Sequence, residues 1–355
     1  MDRIKVLVTG SGAPGIRGTI YSLKNNYDNR DIIIIGTDCQ DGVIGKYLCD
    51  SFYTLPHSSN KKEYLHSLLD IAKRENIQVI IPQNTSELEI LSQNIDLFEA
   101  INIKLLVSEA QAINKSNNKY ALMKECKKLG IPVGKFFIVN DANDLTNKAK
   151  ELGWPNNKIV VKPPVSNGSR GVRIVDESIN LSDLFYNHKP TTLYVKLSYL
   201  EEILGKTFDD LIVTEYLPGI EYSVDVYQDK NIIIPIPRKR NSIKSGITFN
   251  GTTENNKLII DYSIRLSKAL NLKYCYGFQF KLDEKNVPNI IECNPRVQGT
   301  MVMSTLAGGN FIYSSVKSVL GEDIPKFSIN WDKVFLRYWG GISVNTEKEK
   351  SFIDI

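Results

Sequence analysis

The fold is decided by residues 277–296, which read GFQFKLDEKNVPNIIECNPR. Two largely apolar runs, Gly277–Asp283 and Asn289–Asn294, flank a polar segment, and this pattern predicts a β-hairpin. A turn at Glu284–Val287 would place Asp283 directly opposite Pro288 in the paired strands. That register also determines which face of the sheet each of the remaining side chains occupies, because strand residues alternate between the two faces of a sheet.

Three oxygen-bearing side chains converge in this predicted hairpin. The register places Gln279 opposite Glu292, and Asn294 projects from the same face two residues further on. Carboxylate and amide oxygens suit Mg²⁺, which completes its octahedral coordination with phosphates and water. The alternative is the polar edge of a solvated sheet. Metal binding is favoured because the neighbouring side chains are apolar, namely Phe278, Phe280, Ile290 and Ile291.

The composition is that of a globular chain without a strong charge bias. The 355 residues include 44 Lys and Arg against 40 Asp and Glu, a formal net charge of +4. This excess is too small and too evenly spread to predict a nucleic-acid or membrane partner. Domains average about 100–200 residues, so the length predicts two or three of them.

The sequence predicts neither a signal peptide nor a membrane-spanning segment. Residues 1–10 predict a strand rather than a signal peptide, and no apolar run approaches the roughly 18 residues of a membrane helix. The five cysteines form no CxxC pair, which argues against zinc and against a disulfide framework. We therefore expect a soluble, cytoplasmic protein.

The first third of the chain alternates strands and helices, which predicts a doubly wound α/β domain with a parallel sheet. The predicted strands are Ile4–Thr9, Ile32–Gly36, Val79–Pro82 and Lys104–Val107. The predicted helices are Ile16–Lys24, Lys61–Glu75 and Ser86–Phe98.

A glycine-rich turn follows the first predicted strand. Gly10, Gly12 and Gly15 have the spacing of a dinucleotide-binding fingerprint, and Asp38 stands about 20 residues further on, where the fingerprint places an acidic residue. The alternative is a tight strand-to-helix turn that binds no dinucleotide. Pro14 counts against close approach of a pyrophosphate, since proline has no N–H to donate.

The central part of the chain contains a second glycine-rich loop. Ser116 is predicted to cap a helix that contains Lys119 and ends at Gly130. The loop Ser166–Gly171 joins two predicted strands, Lys158–Lys162 and Val172–Val175. Such a loop can donate backbone N–H groups to a polyphosphate while Lys162 supplies a positive charge. The alternative is an ordinary hairpin with a solvated lysine, in which Arg170 at the tip faces water instead of the transferred phosphate.

Taken in order, these segments resemble the ATP-grasp superfamily, especially the synthetase halves of carbamoyl-phosphate synthase and related carboxylate–amine ligases. The most specific motif is Glu-x-Asn-Pro-Arg at Glu292–Arg296. The resemblance implies an α/β fold, with an α+β ATP-binding part: a doubly wound pre-ATP-grasp domain followed by a two-lobed ATP-grasp fold. The implied segments are 1–112 (pre-ATP-grasp), 113–212 (small lobe with the phosphate loop), 213–325 (lobe with the metal site) and 326–355 (extension).

The resemblance also implies a role for each matching residue. Lys119 and Lys162 would bind phosphate, Lys162 as a catalytic residue too, and Arg296 would stabilise the acyl-phosphate and the transferring phosphoryl group. The metal ligands would be Gln279, Glu292 and Asn294, although many family members have an acidic residue at the position of Gln279. The remaining nucleotide-binding positions would be Ser166, Gly168, Ser169 and Gly171 in the loop, Glu215, Tyr216 and Leu217 at the adenine, and Glu221 at the ribose. Lys119 could otherwise be a solvated lysine, Tyr216 a core aromatic, and Glu221 half of a surface ion pair.

The implied activity is that of an ATP-dependent ligase that uses Mg²⁺, or Mn²⁺ in its place. A small-molecule carboxylate would be activated as an acyl-phosphate and joined to an amine, with no nucleic-acid or membrane partner; homo-oligomer formation is left open. The segment Arg238–Arg240 is either a clamp for a substrate carboxylate or a solvated turn. The alternative functions are a nicotinamide-dependent oxidoreductase that uses Gly10–Gly15 and an ATP-binding protein without catalysis.

Overall fold

The computed structural model describes residues 2–166, 168–189, 193–338, 340–344 and 350–353. The chain forms two compact units. The first unit comprises Met1–Asn117, Glu221–Phe280 and Glu292–Ile355, and the second comprises Asn118–Ile220 and Lys281–Ile291. The four segments inferred from the sequence cut the chain differently and stay a prediction.

A five-stranded parallel sheet opens the first unit, in the order β3-β2-β1-β4-β5. Its strands are β1 (Ile4–Val8), β2 (Ile32–Asp38), β3 (Ser51–Thr54), β4 (Val79–Ile81) and β5 (Lys104–Leu105). The helices between and after them are α1 (Ile16–Lys24), α2 (Gly45–Leu48), α3 (Lys61–Arg74), α4 (Thr85–Ser92), α5 (Ile95–Glu99) and α6 (Ala110–Asn117). The strand order reverses between β1 and β4, and open α/β sheets bind ligands at the carboxyl ends of the strands at such a point.

The predicted doubly wound domain is confirmed, and the four predicted strands are present. Three details differ. The short strand β3 and the helix α2 were not predicted, because β3 consists of partly exposed, mixed residues instead of an Ile/Val run. The predicted helix Ser86–Phe98 is two helices, since Asn94 interrupts it and its side-chain amide donates to the Ile90 carbonyl.

The second unit contains a sheet in the order β6-β10-β7-β8-β9, antiparallel except for the β8–β9 pair. Its elements are α7 (Lys119–Lys128), β6 (Phe136–Asp141), α8 (Ala142–Glu151), β7 (Ile159–Lys162), β8 (Arg173–Val175), α9 (Leu181–Asn187), β9 (Tyr194–Val195), α10 (Leu197–Leu204) and β10 (Thr207–Glu215). The core of this sheet includes Val139, Leu145, Ile159, Val161 and Val213. Helix α7 is capped by Asn118, whose side chain accepts from the Ala121 N–H. The predicted cap, Ser116, instead lies inside α6 and donates to the Ala112 carbonyl.

A six-stranded sheet follows, in the order β15-β14-β11-β12-β13-β16. Its elements are β11 (Glu221–Asp229), β12 (Ile232–Lys244), β13 (Ile247–Thr253), α11 (Lys257–Leu270), β14 (Tyr274–Leu282), β15 (Pro288–Asn294), α12 (Val302–Leu306), α13 (Phe311–Val319) and β16 (Val334–Leu336). A last antiparallel pair consists of β17 (Gly341–Val344) and β18 (Lys350–Ile353). In the described part of the chain, no helix is long and apolar enough to cross a membrane.

Candidate active site

The hairpin quoted at the outset is present as β14 and β15, but its turn differs from the prediction. The Asp283 N–H donates to the Val287 carbonyl (3.0 Å), so Asp283 pairs with Val287 and not with Pro288. Asn286 adopts a left-handed conformation (φ 60°) and its N–H donates to the Asp283 carbonyl, which is a three-residue turn followed by a bulge. The Asp283 carboxylate also accepts from the Val287 N–H (2.8 Å) and holds the turn.

Two of the three predicted metal ligands are in direct contact. The Asn294 side-chain nitrogen donates to Glu292 Oε1 (3.0 Å), and both side chains are half-buried at the end of β15. Gln279, also half-buried, lies on the neighbouring strand β14. The shifted turn leaves the predicted pairing of Gln279 with Glu292 a prediction; with Gln279, the three side chains would offer one carboxylate and two amide oxygens, which suits a hard divalent cation that keeps several water or phosphate ligands.

The donor set is poor in acidic groups. Among the described residues, no cluster of three or more His, Cys, Asp and Glu side chains could hold a metal ion. Of the three predicted metal ligands, only Glu292 has a side chain that can be negatively charged.

Arg296 stands two residues after the end of β15 and belongs to the first unit. Its Nε donates to Thr85 Oγ1 at the start of α4 (3.0 Å), and its Nη1 donates to the Val297 carbonyl (2.9 Å). Burial lowers the pKa of the guanidinium below its usual value, while the carboxylates of Glu292 and Glu87 oppose that shift. The contact with Thr85 was not predicted, because it joins residues 211 positions apart in the sequence.

The second unit contains the predicted phosphate-binding lysines. Lys119 is the first residue of α7 and is 5% exposed, so it is not a solvated lysine. Its ammonium donates to the Ser166 carbonyl (2.9 Å) and hydroxyl (3.3 Å), which ties it to the start of the glycine-rich loop. Lys162 ends β7, is 7% exposed, and donates to the Ile291 carbonyl (3.3 Å). Two buried ammonium groups, near a loop with many backbone N–H groups, suit a polyphosphate.

The loop itself joins the antiparallel strands β7 and β8, as predicted. Gly168, Ser169 and Gly171 all have positive φ values, and these residues are exposed. A Cβ atom on Gly171 would lie 2.6 Å from Pro163 Cγ, so the last residue of the loop has to be glycine. Arg170 is exposed at the tip, and Asn167 lies outside the described residues.

The predicted adenine-binding segment begins at the end of β10. The Glu215 carboxylate accepts from the Lys135 N–H (3.1 Å), and the Glu215 N–H donates to the Lys135 carbonyl (3.1 Å). Tyr216 and Leu217 follow as half-buried residues. The ammonium groups of Lys281 and Lys158 lie 5.3 and 5.8 Å from the centre of the Tyr216 ring.

The predicted ribose-binding carboxylate, Glu221, is the first residue of β11 in the first unit and forms an ion pair with Arg240. Arg240 also donates to Thr248 Oγ1 (2.9 Å) and to the Gly246 carbonyl (2.6 Å). Glu221 is therefore half of an ion pair, which was the alternative to the ribose role.

The solvated-turn interpretation of the Arg238–Arg240 segment is wrong for Arg238, which lies inside β12 and is fully buried. The carboxylate clamp stays a prediction. Arg238 Nη2 donates to Asp225 Oδ1 (2.7 Å) and to Gln298 Oε1 (3.2 Å), and its Nη1 donates to Thr300 Oγ1 (2.8 Å). This guanidinium is held by an ion-pair network inside the first unit.

The N-terminal glycine-rich turn is packed against other residues of the first unit. Asp38 Oδ2 accepts from the Gly12 N–H (2.8 Å), and a Cβ atom on Gly15 would lie 2.8 Å from the Gly299 Cα. The acidic residue that a dinucleotide fingerprint needs for the ribose is thus hydrogen-bonded to the turn. This arrangement supports a tight strand-to-helix turn.

Two segments of the chain match known protein families. Residues 207–336 match a family described as "ATP-grasp in the biosynthetic pathway with Ter operon", and residues 6–106 match "PylC-like, N-terminal domain". The resemblance to the ATP-grasp superfamily seen in the sequence is thereby confirmed. The oxidoreductase alternative finds no support.

The chain is similar to carbamoyl phosphate synthase. It is 25% identical to the large chain from Clostridium acetobutylicum over 280 residues, which cover 76% of this chain and 24% of that one. It thus spans about a quarter of the length of the curated relatives it matches.

Solved structures show the same fold at low sequence identity. The Campylobacter jejuni biotin carboxylase complex with β-γ-ATP has a TM-score of 0.68 and 17% identity, covering 92% of this chain and 74% of that one. The biotin carboxylase domain of Hydrogenobacter thermophilus 2-oxoglutarate carboxylase, with MgADP, ADP and bicarbonate, has a TM-score of 0.68 and 18% identity, covering 94% and 74%.

Proposed function

We propose that this chain is an ATP-dependent ligase that activates a small-molecule carboxylate as an acyl-phosphate and joins it to an amine, releasing ADP and phosphate. The observation that supports this most is the end of β15, where the contact between Glu292 and Asn294 is followed two residues later by the charged Arg296. The relatives support it as well: they include the carbamoyl phosphate synthase large chain and a biotin carboxylase in complex with β-γ-ATP.

In the proposed mechanism, Lys119, Lys162 and the loop Ser166–Gly171 bind the phosphates of ATP. Gln279, Glu292 and Asn294 would hold Mg²⁺ or Mn²⁺, which neutralises phosphate charge during phosphoryl transfer. Arg296 stabilises the anionic acyl-phosphate, because its guanidinium is positioned by a hydroxyl and a carbonyl and can still accept an anionic partner. The loop shields the acyl-phosphate from water.

The adenine and ribose assignments belong to the same proposal. The backbone of Glu215, Tyr216 and Leu217 would contact the adenine edge. The Glu221 carboxylate already forms an ion pair with Arg240, so it would have to bind Arg240 and the ribose at the same time. We also propose a cytoplasmic location, to be checked by cell fractionation.

The test is ADP release, measured with a panel of carboxylates and amines in the presence of Mg²⁺. The variant Glu292→Ala should reduce ADP release by at least about 10²-fold, since it removes the one carboxylate of the metal site. The matched control is Glu284→Ala, which removes an exposed carboxylate from the turn of the same hairpin. Near-normal turnover by Glu292→Ala would refute the metal assignment.

A further inference from the structure

A cavity that the ATP proposal does not use lies in the N-terminal domain. It has a volume of about 50 Å³ and opens at the carboxyl ends of β1, β2 and β4, where the strand order reverses. The lining residues that matter here are Gly10, Thr37, Asp38, Asn84 and Glu87. All of them belong to the first compact unit.

Two carboxylates line this cavity. Glu87 is 5% exposed, and its carboxylate accepts from the Asn84 side-chain nitrogen (3.1 Å) and from the Thr9 hydroxyl. Asp38 accepts from the backbone N–H groups of Gly12 (2.8 Å) and Gln40 (3.1 Å). A carboxylate has about four acceptor sites, so each one can accept further hydrogen bonds.

Burial, with the nearby Asp38 charge, raises the pKa of Glu87 to about 7. The other groups whose charges act on it are Cys39, Tyr64 and Arg296. Glu87 thus changes its charge near neutral pH, and a cation placed beside it would favour the charged form.

A third oxygen in the wall independently indicates a ligand. Thr37 is fully buried at the end of β2, and its Oγ1 has no hydrogen-bond partner among the described residues. Buried hydroxyl groups are nearly always hydrogen-bonded, because an unpaired one costs free energy. Thr37 belongs to the wall of the same cavity as the two carboxylates.

The cavity lies close to the proposed chemistry. Thr85, whose hydroxyl accepts from Arg296 Nε, stands in the sequence between the lining residues Asn84 and Ser86. A ligand in the cavity would therefore be one residue away from the side chain that positions Arg296.

We propose that this cavity binds the ammonium group of a small primary amine, through Asp38, Glu87 and Thr37. An ammonium group has three N–H donors, and these three side chains offer three acceptors. An anion would be repelled by the two carboxylates, and a neutral alcohol has only one donor. Binding does not depend on the proposed ligase function, whereas identifying this amine as the ligase's substrate rests on it.

The test uses the full chain without nucleotide and titrates methyl- to butylammonium chloride, the matching alcohols and the matching carboxylates by calorimetry. Only the ammonium ions should bind. Loss of a charge-assisted hydrogen bond should weaken binding at least about tenfold in Glu87→Gln and in Thr37→Val. The matched control Glu89→Gln, an exposed residue on the same helix, should bind normally.

Two further readouts separate a ligand role from a structural one. Thr37→Val should unfold at the same or a higher temperature than the parent, since Oγ1 has no partner to lose. Amine binding at pH 7 should release about half a proton, measured in buffers of different ionisation enthalpy, because Glu87 becomes charged. Equal binding of alcohols or carboxylates, or equal weakening by Glu87→Gln and Glu89→Gln, overturns the proposal.

The outcomes also separate this proposal from the ligase proposal. Ammonium binding without ADP release in any carboxylate and amine mixture would leave the amine site standing and refute the ligase. Amine-dependent ADP release in a chain that binds no ammonium ion up to about 0.1 M would refute the amine site alone.

Discussion

Two arginines of the first compact unit show how differently the same side chain can be used. Arg238 is fully buried, and its Nε lies 2.7 Å from Asp225 Oδ2, with further bonds to Gln298 and Thr300. Arg296 is half-buried, and it donates hydrogen bonds to two neutral groups, the Thr85 hydroxyl and the Val297 carbonyl. The charge of Arg238 is neutralised by a direct ion pair inside the protein, whereas the hydrogen bonds of Arg296 leave its charge for the proposed anionic ligand.

The comparison teaches that burial alone does not identify a catalytic arginine. A buried guanidinium beside a carboxylate belongs to the fold, because removing one partner leaves an uncompensated charge. A guanidinium fixed by hydroxyl and carbonyl oxygens keeps its positive charge for a substrate.

The largest expected effect is that of Arg238→Met on stability. The variant leaves the fully buried Asp225 carboxylate without its cation, so the free energy of unfolding should fall by about 3–5 kcal/mol. Urea titration of the full chain measures this change. The double variant Arg238→Met/Asp225→Leu should recover most of the loss; a single variant as stable as the parent would contradict a structural role.

Arg296→Met should show the opposite pattern. ADP release should fall by about 10²–10³-fold, because the variant removes the charge that stabilises the acyl-phosphate. The free energy of unfolding should change by only about 1–2 kcal/mol, from the two lost hydrogen bonds. Arg17→Met, at an exposed arginine of the same unit, is the matched control. If Arg296→Met destabilised the chain as much as Arg238→Met, the contrast between the two arginines would be lost.

This contrast could not be predicted from the sequence. The hairpin and the buried strands could be predicted, because alternation and Ile/Val runs are local patterns. The partners of Arg238 stand 13, 60 and 62 residues away, and that of Arg296 stands 211 away. Such contacts depend on the tertiary fold, so the sequence could not exclude a solvated turn at Arg238.

The turn register shows a second limit. The residue composition predicts a turn after Asp283, but the left-handed Asn286 shifts the pairing by one residue. A one-residue shift at a turn reverses which face a side chain occupies unless a bulge restores it. The Asn294–Glu292 contact was nevertheless predictable, because residues two apart share a strand face.

A third prediction concerns pH and the carboxylate Glu87, which attracts Arg296. Its pKa is about 7 in the folded chain, above the ordinary value of 4.5. The folded state then holds the proton more tightly than the unfolded state, so the stability contributed by this group is greatest below pH 4.5 and is lost as pH rises through 7. The loss from this group alone should reach about 3 kcal/mol at pH 8.

The variant Glu87→Gln isolates this contribution. Urea titrations at pH 5.5 and pH 8 should differ less in Glu87→Gln than in the parent, because the amide does not titrate. Glu89→Gln, on the same helix but exposed, should keep the parent's pH dependence. Identical pH profiles for the parent and Glu87→Gln would contradict the raised pKa.

The smallest expected effect tests how Arg296 is held. Thr85→Val removes the hydroxyl that accepts from Arg296 Nε and keeps the shape of the side chain. The kcat for ADP release should fall about three- to tenfold, the value of one hydrogen bond to a charged group, while the KM for ATP stays unchanged. Thr85→Ser should restore kcat because it restores the hydroxyl. A purely structural role predicts instead that both variants change stability and that neither changes kcat, so kinetics and urea titration of the same two variants decide whether Thr85 positions Arg296.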